Sequence, residues 1–320
     1  QRRFGPFFWT QLLGAANDNL FKFALTVLVT YQLQVAWLPP AWAGLVIGAL
    51  FILPFLLLSA TAGQLADRID KAVLMRRIKD CEIAIMAFAV LGFVMQWPAL
   101  LLLCLVGMGV HSTFFGPAKF AYLPQVLKPA ELTGGNGMVE MGTFVAILLG
   151  SMVGGLLIAT PQVGRLHVAA VCIALALLGR WTAHHIPRHA ALPAVVQRMN
   201  WNPWTETVGN LRLAREDGVV FRAMLGISWM WFFGAVFLAE FPVLAKEVLH
   251  GDEQVAALLL VVFSTGVGIG ALLCESLSRG RVEPGLVPLG ALGMTVFAVD
   301  LWWTLETLVP VTDTLSIGSF

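Results

Sequence analysis

Long runs of apolar residues, separated by short segments with polar and charged residues, extend along the whole chain of 320 residues. A helix that crosses a membrane needs roughly 20 mostly apolar residues, at a rise of about 1.5 Å each. Nine runs meet this length, so we expect an all-α protein, a polytopic membrane helical bundle. The predicted spans are residues 7–33, 42–66, 79–96, 98–124, 136–160, 166–186, 222–246, 254–277 and 285–309.

The composition agrees with this pattern and excludes several classes of protein. Hydrophobic residues make up 58% of the chain and charged residues 12%, with a mean hydropathy of +0.81. Soluble domains carry about 25% charged residues, so a soluble enzyme, a nucleic-acid-binding module and a disordered tail are excluded. The formal net charge of +1 indicates no strongly acidic partner. We expect membrane lipids around the chain, and no nucleic acid as a partner.

The distribution of lysine and arginine predicts how the helices cross the membrane. Basic residues concentrate in the cytoplasmic loops of membrane proteins. If the spans alternate from a cytoplasmic N-terminus, sixteen basic residues fall on the cytoplasmic side, and Arg165 and Lys246 fall on the other side. We therefore expect a multi-pass protein with a cytoplasmic N-terminus. The sixteen residues are Arg2, Arg3, Arg68, Lys71, Arg76, Arg77, Lys79, Lys128, Arg180, Arg188, Arg198, Arg212, Arg215, Arg222, Arg279 and Arg281.

A polar stretch divides the predicted spans into two groups. Residues 187–221 contain several prolines and arginines and are predicted to form a cytoplasmic linker. Six spans precede it, so residues 1–186 are predicted to form an N-terminal six-helix bundle. Residues 222–320 hold about three spans and are predicted to form an incomplete C-terminal bundle. Because two bundles related by a parallel repeat would be equal in size, we expect the chain to be a fragment that lacks about three helices.

The loop between the second and third spans carries a family motif. Residues 63–71 read GQLADRIDK and resemble the signature loop of the major facilitator superfamily, Gly-x-Leu-Ala-Asp-Arg-x-Gly-Arg-Lys. Asp70 stands where that pattern has its second glycine. The resemblance implies a major facilitator fold with about nine of its twelve transmembrane helices, and a conformational latch at Asp67 and Arg68 that stabilises the outward-open state. The alternative is a solvated loop with a charge at a helix end.

Three further segments resemble the bacterial lysophospholipid transporter branch of that superfamily. The branch carries Gly-Asp-Asn in helix one, Ser-Pro-Ala-Lys in helix four and Asn-Gly-x-x-Glu in helix five. This chain has NDN at residues 17–19, GPAK at residues 116–119 and NGMVE at residues 136–140. It departs from the branch at residues 236–240, which lack the arginine that the branch carries in helix seven.

This resemblance implies a function as well as a fold. Members of the branch move lysophospholipids, such as lysophosphatidylethanolamine and lysophosphatidylglycerol, from the outer to the inner leaflet of the bacterial inner membrane. They pass the lipid to an acyltransferase/acyl-ACP synthetase, which is either separate or fused to the same chain. We therefore expect an inner-membrane flippase that works by alternating access, with the lysophospholipid and this enzyme as partners and with no cofactor.

Charged residues inside the predicted spans are the candidates for substrate binding, because a charge at the bilayer centre costs roughly 2.5–3.5 kcal/mol. Asp18 lies about halfway along the first span and is followed by Asn19. We expect both side chains to face a polar cavity, where the carboxylate of Asp18 meets the cationic part of a lipid headgroup. The alternative is a structural ion pair with Lys22, which lies at the i+4 position of the same helix.

Lys119 and Glu140 are a second candidate pair, on the fourth and fifth predicted spans. Lysine binds phosphate groups as a point charge, so we expect Lys119 to hold the lipid phosphate and Glu140 to tune it or to close a gate. The alternative is a buried salt bridge that fixes the two helices together. The two interpretations are compatible if the pair exchanges partners during transport.

Other classes of function are the alternatives to lipid transport. A membrane-embedded enzyme is disfavoured because the chain has no His-x4-Asp motif, no Gly-x-Ser-x-Gly motif and no Gly-Lys dipeptide of a phosphate-binding loop. A structural scaffold would not need charged residues inside its spans. The main alternative is a major facilitator exporter of drugs or of another small solute. Such exporters usually have a Gly-Pro break in helix five, which residues 136–160 lack.

Overall fold

The computed structural model is built from helices that follow the predicted spans. It describes residues 3–33, 35, 37–188, 199–250, 253–279, 281 and 283–307. Residues 189–198 of the predicted linker and 308–320 of the predicted C-terminal bundle lie outside the described residues. The ten α-helices of the described residues are α1 (Gly5–Val27), α2 (Pro40–Arg68), α3 (Lys71–Val94), α4 (Pro98–Val126), α5 (Leu132–Ile158), α6 (Gly164–His184), α7 (Pro203–Glu216), α8 (Gly218–Val243), α9 (Glu253–Ser278) and α10 (Leu286–Thr307).

Nine of these helices match the nine predicted spans, which confirms the all-α fold. Eight helices in the described part of the chain are long and apolar enough to cross a membrane, so the chain is a multi-pass membrane protein. The ninth is α3, whose first half is less apolar because it carries Lys79, Asp80 and Glu82. The tenth helix, α7, lies within the predicted linker and is polar over most of its length.

The first of two compact units comprises residues 1–212. Within it, α1 packs against α5 and α6, α2 packs against α4, and α3 packs against α4 and α6. Phe21, Phe93 and Met108 belong to the apolar core between these helices. The core therefore brings α1, α3 and α4 together, and these three helices carry the charged residues described below.

The second compact unit comprises residues 213–320 and is built on α8, α9 and α10. In this unit α8 packs against α9, and the rings of Phe237 and Phe263 stack with their centroids 6.4 Å apart. Most side chains of α8 and α10, including Trp229 and Trp302, are exposed. The predicted limits of the two bundles and of the linker stay predictions.

Close approach of two backbones fixes α1 against α5. A Cβ atom on Gly150 would lie 2.5 Å from the carbonyl oxygen of Ala16, and one on Gly154 would lie 2.6 Å from the carbonyl oxygen of Leu20. Small residues at such four-residue spacing let helix backbones meet. A larger residue at either position would therefore force α1 and α5 apart.

Arg76 of α3 binds the C-terminal end of α6. Its guanidinium donates to the carbonyl oxygens of Ala183 (3.1 Å), His184 (3.0 Å) and Ile186 (2.7 Å). The last carbonyl groups of a helix lack partners within that helix, and a cation there also complements the helix dipole. One side chain thus stabilises the end of α6 and attaches it to α3.

We expect Arg76→Gln to lower the free energy of unfolding by about 1–3 kcal/mol, because three carbonyl groups lose a charged donor. Unfolding of the purified protein in detergent, followed by circular dichroism, measures the effect. Arg77→Gln is the matched control, since Arg77 is the exposed neighbour in the chain. An equal loss of stability in both variants would contradict the capping role of Arg76.

Candidate functional site

Asp18 lies on α1 and is 8% exposed. One of its carboxylate oxygens accepts a hydrogen bond from the hydroxyl group of Ser112 on α4. The other oxygen, Oδ1, is buried and has no hydrogen-bond partner within the described residues. A buried acceptor without a donor is costly. Asp18 therefore retains the capacity to bind one more donor.

The ion pair between Asp18 and Lys22 is not formed in the structure, because no contact within 4.0 Å joins these two described side chains. Lys22 instead places its Nζ 5.1 Å from the centroid of the Phe51 ring on α2. Asn19 is buried, and its amide donates to the carbonyl oxygen of Ala15 one turn earlier, at 2.8 Å. The close contacts of these three side chains thus lie in different places, on α4, on α2 and within α1.

A group of charged and polar side chains lies next to Asp18. Glu82 of α3 is fully buried and accepts hydrogen bonds from Lys79 of the same helix at 2.5 Å and from Asn17 of α1 at 2.7 Å. On α4, Nε2 of His111 lies 3.2 Å from the same carboxylate. We name Asn17, Lys79, Glu82 and His111 the buried charge cluster. Its central carboxylate joins α1, α3 and α4.

Two glycines make room for Lys79, which is 1% exposed. A Cβ atom on Gly14 of α1 would overlap Nζ of Lys79, and one on Gly179 of α6 would lie 3.4 Å from it. The centroid of the Phe115 ring lies 5.5 Å from the same ammonium group, within the range of cation–π attraction. Four helices therefore enclose the ammonium group, and Glu82 compensates its charge.

The buried charge cluster is connected to Asp18. Nδ1 of His111 lies 3.4 Å from the hydroxyl oxygen of Ser112, which donates to Asp18. Asn17 of the cluster also precedes Asp18 in the chain, and Oδ1 of each of these two residues is buried without a partner among the described residues. A buried polar network is stable when its members are satisfied. Nε2 of His111 likewise has no hydrogen-bond partner among the described residues. The two oxygens are acceptors at which this network can bind a further donor.

Sequence reasoning missed the buried charge cluster. The charge count placed Lys79 on the cytoplasmic side, at the first residue of the third predicted span, and gave it no partner, whereas the structure buries this side chain within α3 beside Glu82. The signal was present, since Lys79 and Glu82 lie three residues apart in the third predicted span and His111 lies in the fourth. Ionisable residues inside spans mark functional sites or buried pairs. Applied to every span, that rule finds all three residues.

Lys119 lies two turns after Ser112 on α4, which continues through Pro117 as one helix. Lys119 is half-buried, and its Nζ lies 4.6 Å from the centroid of the Phe120 ring. Glu140 of α5 is also half-buried, but no contact within 4.0 Å joins the two described side chains. The salt bridge considered as the alternative is therefore not formed, and both groups can bind a ligand.

The signature loop lies where α2 ends and α3 begins. Asp67 is exposed in the last turn of α2, and Arg68 is the last residue of that helix. Asp70 caps α3 by accepting a hydrogen bond at 2.9 Å from a backbone N–H three residues later. The side chain of Gln64 forms two hydrogen bonds with the backbone of Asn200, at 3.0 and 2.9 Å. The start of the signature loop is thus hydrogen-bonded to the segment that precedes α7.

Metal binding finds no support in the described part of the chain. No three His, Cys, Asp or Glu side chains in those residues are grouped so that they could hold a metal ion. Asp18, Lys119 and Glu140 offer two carboxylates and one ammonium group, which bind ligands through charge and hydrogen bonds.

Comparisons with known proteins identify the family. The family model described as Major Facilitator Superfamily matches residues 7–317. The lysophospholipid transporter LplT of Serratia proteamaculans (strain 568) is 30% identical over 266 residues, which are 82% of this chain and 62% of that protein. The LplT proteins of Yersinia pestis (strain Pestoides F) and Yersinia pseudotuberculosis serotype I (strain IP32953) are each 29% identical over 301 residues, 91% of this chain and 69% of theirs. The matched region thus spans less than two thirds of the length of the Serratia protein.

Three observations agree on the family. The family model covers nearly the whole chain, the motif of the signature loop lies between α2 and α3, and the described helices include eight that can cross a membrane. The resemblance inferred from the sequence motifs is confirmed. The chain belongs to the major facilitator superfamily.

Proposed function

We propose that this protein is a lysophospholipid transporter of the bacterial inner membrane, with a cytoplasmic N-terminus. It moves lysophosphatidylethanolamine and lysophosphatidylglycerol to the inner leaflet by alternating access, where an acyltransferase/acyl-ACP synthetase re-acylates them. The relatives named lysophospholipid transporter LplT support this substrate class. The unpartnered carboxylate oxygen of Asp18 supports it as well, because it suits a substrate with a cationic group.

The placement of Ser112, the partner of Asp18, and of Lys119 along α4 is the observation that carries the proposal. Ser112, which binds Asp18, precedes Lys119 by seven residues, so both positions lie on one face of α4, about 10 Å apart in rise. In the structure Nζ of Lys119 lies 4.6 Å from the centroid of the Phe120 ring, and this flexible side chain turns along α4 toward Ser112 when it binds the headgroup in the proposal. Phosphate and ammonium are four bonds apart in ethanolamine phosphate, about 5 Å. One headgroup can therefore place its ammonium on Asp18 and its phosphate on Lys119.

The other predicted residues take supporting roles in this proposal. Asn19 lies beside Asp18 and offers its carbonyl oxygen to the headgroup, because its amide group is bound within α1. Glu140 attracts the ammonium group of Lys119 and so helps the phosphate to leave. Asp67 and Arg68, at the end of α2, form the latch that stabilises the outward-open state.

Uptake of labelled lipid into spheroplasts tests the substrate class. Spheroplasts that lack their own lysophospholipid transporter and express this protein should take up both lysophospholipids, and they should not export a panel of dyes. The empty expression vector is the control for passive entry. Dye export without lysophospholipid uptake would contradict the proposal and would identify a drug exporter.

Asp18→Asn should reduce uptake of lysophosphatidylethanolamine about tenfold or more relative to lysophosphatidylglycerol, because only the former has an ammonium group to pair with a buried carboxylate. Competition between the two labelled lipids measures this selectivity. Lys22→Gln is the matched control, one turn further along α1, and should leave the selectivity unchanged. An equal loss for both lipids, recovered in the double variant, would show that Asp18 and Lys22 act as a structural pair.

A further inference from the structure

The first unit has a polar cavity at one of its ends, and this end is far from Asp18. The cavity has a volume of about 190 Å³, and it is lined by the turn after α1, the loop after α3, the segment between α5 and α6, and the start of α6. Gln32 lies fourteen residues after Asp18, about 20 Å along the helix axis, so the cavity is separate from the proposed substrate site. Its polar lining residues are Gln32, Gln96, Thr160, Gln162 and Arg165.

Arg165 is the charged residue among those that line the cavity. Its Nη1 is buried and has no hydrogen-bond partner in the part of the chain that the structure describes. A guanidinium group carries five N–H donors, and a buried donor that stays unpaired costs free energy. An anion in the cavity would supply the missing acceptor.

The surroundings of Arg165 favour a phosphate group as this anion. Arginine binds phosphate through two parallel N–H···O bonds. The amides of Gln96 and Gln162 line the same space and can donate from other directions, as a tetrahedral group requires. Thr160 also lines the cavity, but its hydroxyl group donates to the carbonyl oxygen of Leu156 at 3.4 Å. Because α6 begins at Gly164, which also lines the cavity, the positive end of its dipole adds attraction for an anion.

We propose that this cavity binds a phosphate group, held by Arg165 with the amides of Gln96 and Gln162. The phosphate belongs to a lipid headgroup or is free inorganic phosphate, since both present the same tetrahedral oxygens. Under the orientation predicted from the basic residues, this end of the bundle faces the periplasm. The site is independent of the transported substrate's path past Asp18.

Isothermal titration of the purified full chain in detergent tests the proposal without any transport step. The probes are inorganic phosphate, glycerophosphoethanolamine and lysophosphatidylethanolamine. Arg165→Gln should weaken binding of at least one probe about tenfold or more, since it removes the charged bidentate donor. Binding of inorganic phosphate that depends on Arg165 identifies free phosphate as the ligand. Dependence limited to the two esters identifies a lipid headgroup.

Two more variants keep the outcome clear. Leu33→Trp fills the cavity, which Leu33 lines, and should cause the same loss while Arg165 stays in place. If Arg165→Gln does not elute as a monodisperse protein, the affinities of Leu33→Trp are measured in its place. Arg180→Gln, at the other end of α6, should bind like the unsubstituted protein. Unchanged affinities in both cavity variants, or no binding of any probe to the unsubstituted protein, would overturn the proposal.

Discussion

Glu82→Leu should destabilise the protein by about 3–5 kcal/mol, because it leaves a buried ammonium group without its counter-charge. Glu82 accepts hydrogen bonds from Lys79 at 2.5 Å and from Asn17 at 2.7 Å, and all three side chains are buried. His111 loses its charged neighbour as well. Unfolding of the purified protein in detergent should show a clearly lower midpoint.

Two further variants distinguish lost charge compensation from lost packing. Replacing Lys79 by methionine together with Glu82→Leu removes both charges and should recover most of the lost stability. Asp80→Asn is the control, because Asp80 is an exposed acid that pairs with Arg180 at 2.5 Å. Its loss should cost about 1 kcal/mol or less. A double variant as unstable as Glu82→Leu would refute charge compensation as the role of Glu82.

Lys119→Ala should reduce uptake of both lysophospholipids about tenfold or more, because both carry the phosphate group that this lysine is proposed to hold. The described part of the chain contains no ion pair to Lys119 within 4.0 Å, so the fold should tolerate the change. Lys119→Arg keeps the charge with a different geometry and should retain part of the uptake. Uptake of labelled lipid into spheroplasts measures all three proteins at matched expression.

The control for this prediction is Lys128→Ala. Lys128 is exposed in the segment after α4, so its replacement should leave uptake of both lipids unchanged. Full uptake by Lys119→Ala would exclude this lysine as the phosphate ligand. A loss confined to lysophosphatidylethanolamine would also contradict the proposal, since the phosphate is common to both lipids.

The helices could be predicted because the length of an apolar run is a local property that the bilayer thickness selects. At the start of α3 this reasoning predicts the helix boundary incorrectly. The apolar run predicts a helix from residue 79, but the helix begins at Lys71, where Asp70 caps it. The additional turns depend on the cap and on the packing of Leu74 and Met75 in the core. They mix basic residues with apolar ones, so their run is too short in apolar residues to be selected by the membrane. The same reason explains why α7 was not predicted.

The partners of the charged residues could not be predicted from spacing along one helix. Asp18 and Lys22 lie one turn apart, yet Asp18 binds Ser112 of α4 and Lys22 lies over Phe51 of α2. Which neighbour each side chain meets depends on how the helices pack. Glu82 likewise meets Asn17 of α1 and His111 of α4 only in the folded bundle. No short stretch of the sequence contains all of these residues, so their contact could not be predicted from it.

The close contact of Gly150 and Gly154 with α1 limits how the first unit can change shape. The two glycines lie against the carbonyl groups of Ala16 and Leu20, which stand two residues before and two residues after Asp18. Sliding of α1 along α5 would therefore produce a clash. The contact between α1 and α4 is much less extensive than that between α1 and α5. We therefore expect that a ligand reaches Asp18 through an opening between α1 and α4. In this movement α5 and α1 should move together as one rigid body.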